Sequence, residues 1–436
     1  MRINLRAVTA AAAALFAGAV HAQTEIHWWH SMPGPLGEAL NGLATKFNAE
    51  QKDYRIVTTF KGTYPESMTA AIAAFRAGNA PHLLQVFEVG TATMMAAKGA
   101  IVPVAKVMTD AKEKFEPKAY LPTVTGYYSD QKGNMLSFPF NSSTVMFYVN
   151  KDAFKKAGLD PNKAPRTWKE FQAAADKLKA AGQQCVYTTS WPSWTHVENF
   201  SAWHNLPIGT KDNGIAGFDT QFTINSPQHV KHITMLSELA KKGQFTYAGR
   251  TNQGDAKFIS GECAMFTGST GAQAGIRRGA KFDWSINFIP FHDDIVKEPQ
   301  NSIIGGASVW VMSGKKADDY RGVAKFFAFL SRPEIQMEWH TKTGYVPITQ
   351  AAYEMTKKSG FYEKDPGAEL AVKQLTHKAP TANSKGLRFG NFVQGRTVIE
   401  EELEAVFAGR KEPKPALDDA VRRGNEILRQ FEAANK

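Results

Sequence analysis

Residues 25–60 decide the fold. Glu25-Ile26-His27-Trp28-Trp29-His30 reads as a strand, and the Pro33-Gly34-Pro35 loop follows it. Leu36, Leu40, Leu43 and Phe47 then recur at helical spacing. Tyr54-Arg55-Ile56-Val57-Thr58-Thr59-Phe60, rich in β-branched and aromatic residues, reads as a second strand. Outward from this unit the alternation continues. A helix is expected over 65–76, with Pro65 in its first turn, then a strand over 82–87 and a helix over 90–97. Further strands are expected at 144–150, 185–189, 262–266 and 308–312. Helices are expected at 151–157, 167–181 and 227–242, and the chain beyond Asp318 reads as mostly helical. Strands alternating with helices predict an α/β fold with largely parallel sheets. No repeat and no low-complexity linker interrupts the chain, so two lobes in 436 residues must be built from interleaved segments.

The N-terminus sets the compartment. Arg2 and Arg6 precede an Ala-rich apolar run from Val8 to Val20, and Val20-His21-Ala22 offers small residues at a cleavage site. This pattern predicts a signal peptide over 1–22 and a periplasmic mature chain. The formal charge of +11 loses only Arg2 and Arg6 on cleavage. The remaining basic residues are dispersed as pairs such as Lys241-Lys242 and Arg422-Arg423, with acids nearby, which argues against nucleic acid. Two cysteines, Cys185 and Cys263, exclude a disulfide framework and a four-thiolate zinc site. An oxidising compartment permits them to pair, and the sequence leaves the bridged and free forms both open.

Enzyme signatures are missing. Gly268-Ser269-Thr270-Gly271 approaches a nucleophile elbow, but Thr267 stands where the first glycine belongs. His27 and His30, three apart on a strand, face opposite sides and cannot grip one ion. No phosphate-binding loop, dinucleotide fingerprint or zinc-protease motif occurs, so no cofactor or metal is expected. Small polar turns are expected after strands instead: Ser31, Gly62-Thr63-Tyr64, Glu88, Asn141-Ser142-Ser143, Ser269 and Gly305-Gly306. In open α/β sheets such positions meet ligands. A secreted solute binder is the reading these features favour.

Several blocks carry a resemblance: Trp29-His30-Ser31-Met32, Lys61-Gly62-Thr63-Tyr64, 85–95, Pro139-Phe140-Asn141-Ser142-Ser143, 198–203, 303–308, 342–349 and Gly386-Leu387-Arg388. They resemble the periplasmic sn-glycerol-3-phosphate-binding proteins of ABC importers, within the extracellular solute-binding family 1. The likeness spans essentially the whole mature chain. It implies a two-lobed periplasmic-binding fold of type II with a ligand cleft between lobes, here 23–138 with 303–346 and 143–300 with 348–436. It implies a monomer that delivers sn-glycerol 3-phosphate, and glycerophosphodiesters such as glycerophosphocholine, to permease subunits driven by a cytoplasmic ATPase. It also implies that Tyr64, Glu88, Ser143, Ser269, Gly306, Tyr345 and Arg396 line the site.

The residue types suit that ligand. Arg396, Ser143, Ser269 and Gly306 offer phosphate a guanidinium, hydroxyls and backbone N–H. Glu88 accepts from a diol, and Tyr64 and Tyr345 add apolar faces with polar tips. The bland alternatives are a helix-start carboxylate for Glu88 and an i,i+4 ion pair of Arg396 with Glu400. Trp191 and Trp194, in Trp191-Pro192-Ser193-Trp194, are cleft residues by the resemblance and loop packing otherwise. A neutral sugar on the same fold, and an exported phosphoester hydrolase, are the competing functions.

Overall fold

In the computed structural model of the protein, residues 23–130 and 132–435 are described; the expected signal peptide over 1–22 lies outside them. Among the described residues ten strands occur in chain order. They are β1 Thr24–His30, β2 Tyr54–Phe60, β3 Leu83–Phe87, β4 Ile101–Val102 and β5 Phe138–Ser143, then β6 Val145–Asn150, β7 Cys185–Thr189, β8 Cys263–Ser269, β9 Trp284–Asn287 and β10 Gly305–Met312. β1 alternates as its sequence requires: Ile26, Trp28 and His30 face the core, while Glu25 and His27 face outward. The helix Gly34–Glu50 buries Leu40, Leu43 and Phe47, and Tyr64–Arg76 starts from a capping box in which Glu66 accepts the Thr63 N–H at 2.7 Å.

The strands form two sheets. The first runs β2-β1-β3-β10-β4, with β5 sharing the outer edge of β10; the second runs β7-β8-β6-β9. Parallel pairing is confined to β2-β1-β3 and β7-β8. All other pairs are antiparallel, so both sheets are mixed, which corrects the largely parallel expectation. The reason is the path of the chain. β5 and β6 are separated by Thr144 alone yet sit in different sheets, and β10 returns from the second sheet to the first. A strand entering by such a crossing need not follow the right-handed β-α-β rule that makes neighbours parallel.

Three of the expected turns, 141–143, Ser269 and 305–306, prove to be strand. Ser143 pairs with Gly305 and Ser142 with Gly306, with a register shift at Ala307/Ser308. Asn141, Ser142 and Ser143 are buried although polar, so no alternation marks them as strand in the sequence. β8 likewise extends through Thr267-Gly268-Ser269. The crossings are stitched together: Thr144 Oγ1 bonds Ser302 Oγ at 2.7 Å, and the Val346 N–H donates to Ser142 O at 2.9 Å.

The cysteine question is resolved. Cys185 and Cys263 stand opposite each other in β7 and β8 and form a disulfide. Among the described residues no helix is long and apolar enough to cross a membrane. Because the bridge closes a loop of 78 residues, replacing both cysteines by alanine should lower unfolding free energy by roughly 2–4 kcal/mol. Urea melts of the two forms measure the difference; equal midpoints would show that the bridge adds no stability.

Candidate functional site

A cleft of about 230 Å³ gathers all nine residues singled out in the sequence. Tyr64 opens its helix, Glu88 follows β3, Ser143 ends β5, Ser269 ends β8 and Gly306 lies near the start of β10. Tyr345 follows the helix Pro333–Thr343, and Arg396 sits within Phe392–Phe407. Trp191 and Trp194 come from the segment after β7. Lining residues therefore come from strands of both sheets.

Local backbone explains several of these positions. Gly306 has φ +85°, and a Cβ there would lie 1.8 Å from Asn141 O, so only glycine allows β10 to approach β5 at the cleft. Trp191 has φ 55°, rare for a bulky side chain, and its N–H donates to Thr251 O at 2.9 Å. Residues Trp194–Asn199 form a π-helical turn, a form frequent at functional sites.

The tyrosines are supported from behind. Tyr64 stacks on Phe87 at 5.1 Å, and its hydroxyl accepts from Asn141 Nδ2 at 3.0 Å. Asn141 Oδ1 accepts in turn from Gln85, whose Oε1 accepts the Ser31 N–H at 2.8 Å. Tyr345 stacks on Trp339 at 5.8 Å, and desolvation pushes its hydroxyl up to about 12, so it stays a proton donor. Ser31 and Trp194 also line the cleft, and the Ser31 Oγ and Trp194 Nε1 are buried with no hydrogen-bond partner among the described residues. Buried polar atoms of this kind are normally paired, and a ligand would pair them.

Arg396 lines the cleft but is paired otherwise than the i,i+4 alternative expected. Its Nε and Nη2 donate to Glu198 at 2.9 and 2.6 Å, and Nη2 donates to Glu88 at 2.7 Å. Its bonds thus run to these two glutamates rather than to Glu400. All three groups are nearly sealed from water, at 6%, 5% and 0% side-chain exposure for Arg396, Glu88 and Glu198. Desolvation raises the Glu88 carboxyl, with Arg396 opposing and Glu198 adding to the rise. With both glutamates ionised the cluster carries excess negative charge. Arg396 is the only cation lining the cleft among the described residues, and its charge is shared with two glutamates.

Sequence reasoning missed Glu198 and Asp255. Glu198 stood in a matched block, but a π turn that aims it at a residue almost two hundred positions away leaves no periodic signal. Asp255 lines the cleft from the helix Gln253–Ile259, where it resembles any exposed first-turn acid. His30 and His27 fall on opposite faces as expected, and among the described residues no cluster of metal-binding side chains is found.

The likeness to known proteins is extensive. The sequence profile of the bacterial extracellular solute-binding proteins matches residues 42–369. The chain belongs to that family. This solute-binding protein is 53% identical over 431 residues to the sn-glycerol-3-phosphate-binding periplasmic protein UgpB of Pectobacterium atrosepticum, covering 99% of this chain and 97% of the relative. It is 53% identical over 420 residues to the protein of that name from Escherichia coli K12, covering 96% of each. Two solved structures share its two-lobed fold. UgpB from Mycobacterium tuberculosis in complex with glycerophosphocholine has a TM-score of 0.79 at 21% identity, over 94% of this chain and 99% of that one. Maltose-bound MalE3 of T. maritima has 0.76 at 16%, over 93% and 100%.

Arg396→Ala would leave two buried carboxylates without their cation. This should cost about 3–5 kcal/mol of stability at neutral pH. The orphaned Glu88, already raised by desolvation and now without the opposing Arg396, would titrate above its unfolded value, so the folded variant binds more protons than the unfolded chain. Its stability therefore falls as pH rises and recovers on acidification towards about pH 5. Urea melts at pH 5 and pH 8 check this, and a loss equal at both would argue against a buried charge cluster.

Proposed function

We propose that this solute-binding protein captures sn-glycerol 3-phosphate, and glycerophosphodiesters such as glycerophosphocholine, in the periplasm. It delivers them to the permease subunits of an ABC importer, powered by a cytoplasmic ATPase. It works as a monomer, without catalysis and without a cofactor. The observation that carries this reading is the near-full-length identity of about half the residues with relatives that bear that ligand in their names.

The cleft chemistry supports it. Glu88, held by Arg396, presents acceptor oxygen to the glycerol diol. Ser143, Ser269, Tyr345, Ser31 and the Trp194 N–H supply neutral donors for phosphoryl oxygens. The charge of Arg396 is shared with Glu88 and Glu198, so phosphate recognition shifts from a single ion pair to these dipoles. The lobes are 23–138 with 303–346 and 143–300 with 348–436, and the ligand favours their closed arrangement. The division of strands into two sheets supports that partition.

Titration calorimetry of the mature protein with sn-glycerol 3-phosphate, glycerophosphocholine and maltose is the test. The first two should bind and maltose should not; tight maltose binding would return the function to a neutral sugar. Ser143→Ala should weaken both phosphoryl ligands by roughly 1.5–3 kcal/mol, the range for a hydrogen bond to a charged group. Trp191→Ala and Trp194→Ala should weaken glycerophosphocholine more than sn-glycerol 3-phosphate, because only the former carries a cation for an indole face, worth ~0.5–2 kcal/mol. Equal losses for both ligands would mean that the tryptophans pack the cleft without reading the headgroup.

A further inference from the structure

An anionic ligand in this cleft meets an unusual balance of charge. The one lining cation among the described residues, Arg396, already faces two glutamates, and Asp255 adds a third carboxyl. Every phosphoryl group entering must therefore approach carboxyls that no spare positive charge offsets.

Asp255 is placed to matter. Its helix packs against β7, β8 and the helix Gln273–Gly279, and β8 ends in Ser269. Its Oδ1 accepts from Ser190 Oγ at 2.6 Å, its own backbone N–H also reaches the carboxyl, and among the described residues no other side chain bonds it. The charged groups around it are committed elsewhere. On its own helix Lys257 bonds Glu262, Arg277 of the Gln273–Gly279 helix bonds Asp365 and Gln273, and Arg278 reaches out to Glu38. From β8, Cys263 is held in the disulfide, and from β7, Tyr187 bonds His196 and Thr267. The Tyr148 hydroxyl donates to Ser269 O, Tyr345 is a neutral phenol, and Arg396, Glu88 and Glu198 form their own cluster.

On the reading of the function given above, we propose that Asp255 meets the phosphoryl group as the neutral acid, donating a hydrogen bond from its carboxyl O–H to a phosphoryl oxygen while keeping the proton, and so favours singly charged phosphoryl ligands. A carboxylate at that point would repel phosphate; a carboxylic acid is a strong, directional donor to it. Desolvation lifts Asp255 to about 7, so the acid form is well populated at neutral pH. A phosphodiester carries one negative charge, whereas a phosphomonoester gains a second above about pH 6. The diester thus loses affinity only with the Asp255 proton, and the monoester loses it with its own second proton as well.

The experiment is titration calorimetry from pH 6 to pH 8 on the mature protein, with glycerophosphocholine, sn-glycerol 3-phosphate, and the Asp255→Asn variant. Glycerophosphocholine does not titrate in that range. Its affinity for wild type should fall about ten-fold from pH 6 to pH 8, as the competent acid form is depleted. sn-Glycerol 3-phosphate should fall more steeply. Asp255→Asn, with an N–H in place of the acid O–H, should bind glycerophosphocholine with little pH dependence. Thermal melts of wild type and variant confirm that both are folded. A flat wild-type profile overturns the proposal, as does a slope that persists in Asp255→Asn, which would belong to Glu88 or to Glu400, lifted to about 8 by desolvation beside Arg396. Affinity that rises with pH and is lost for the choline ligand alone in Asp255→Asn also overturns it, since Asp255 would then pair with the headgroup cation as a carboxylate. Absence of binding to either ligand at every pH would refute the function itself, and is distinguishable from all of these.

Discussion

A guanidinium shut away from water between two carboxylates is the constraint on which the cleft depends. Arg396 comes from a late helix, Glu88 from the end of β3, and Glu198 from the π turn after β7. Leaving any one of these charges buried alone costs far more than the set contributes in place, so the three segments must arrive together. Their meeting fixes the wall on which Glu88 lines the cleft. It also gives a reason for the π turn, which brings Glu198 within reach of both Arg396 and Ser193 Oγ.

Around that cluster the cleft is assembled from neutral polar groups braced on apolar surface. The relay from Ser31 through Gln85 and Asn141 to Tyr64 lies wholly in the interior, and every link has a donor matched to an acceptor. Satisfied networks of this kind hold side chains in one geometry, which a site made of dipoles needs more than a site made of ions. The left-handed backbone at Trp191, kept in place by its bond to Thr251, is a local cost borne where an indole must face the opening.

Much of this was legible in the sequence, because local periodicity controls it. The strand at 54–60 falls where its β-branched run lies, and Leu40, Leu43 and Phe47 mark the buried stripe of the first helix. The nine cleft residues were legible through motif resemblance, and they converge on one cavity. What escaped was set by distant partners. β5 is polar where it pairs with β10, so neither alternation nor an apolar run announced it as strand. The partners of Arg396 lie 198 and 308 positions away, and an i,i+4 neighbour was the nearest acid a local reading could offer. Asp255 gives no sign in the sequence that its helix faces a cleft.

β10 lies between β3 on one edge and β5 and β4 on the other, and its residues are the last of the ten strands to be made. A chain emerging from its N-terminus therefore holds β1, β2, β3 and β5 long before the strand that joins them exists. Until Met312 has emerged, the inner edges of β3 and β5 have no partner, and the first sheet cannot close. Pairing over so long a stretch is slow because the intervening chain must first be ordered. The order of the strands thus leaves the first sheet unclosed until most of the polypeptide has been made.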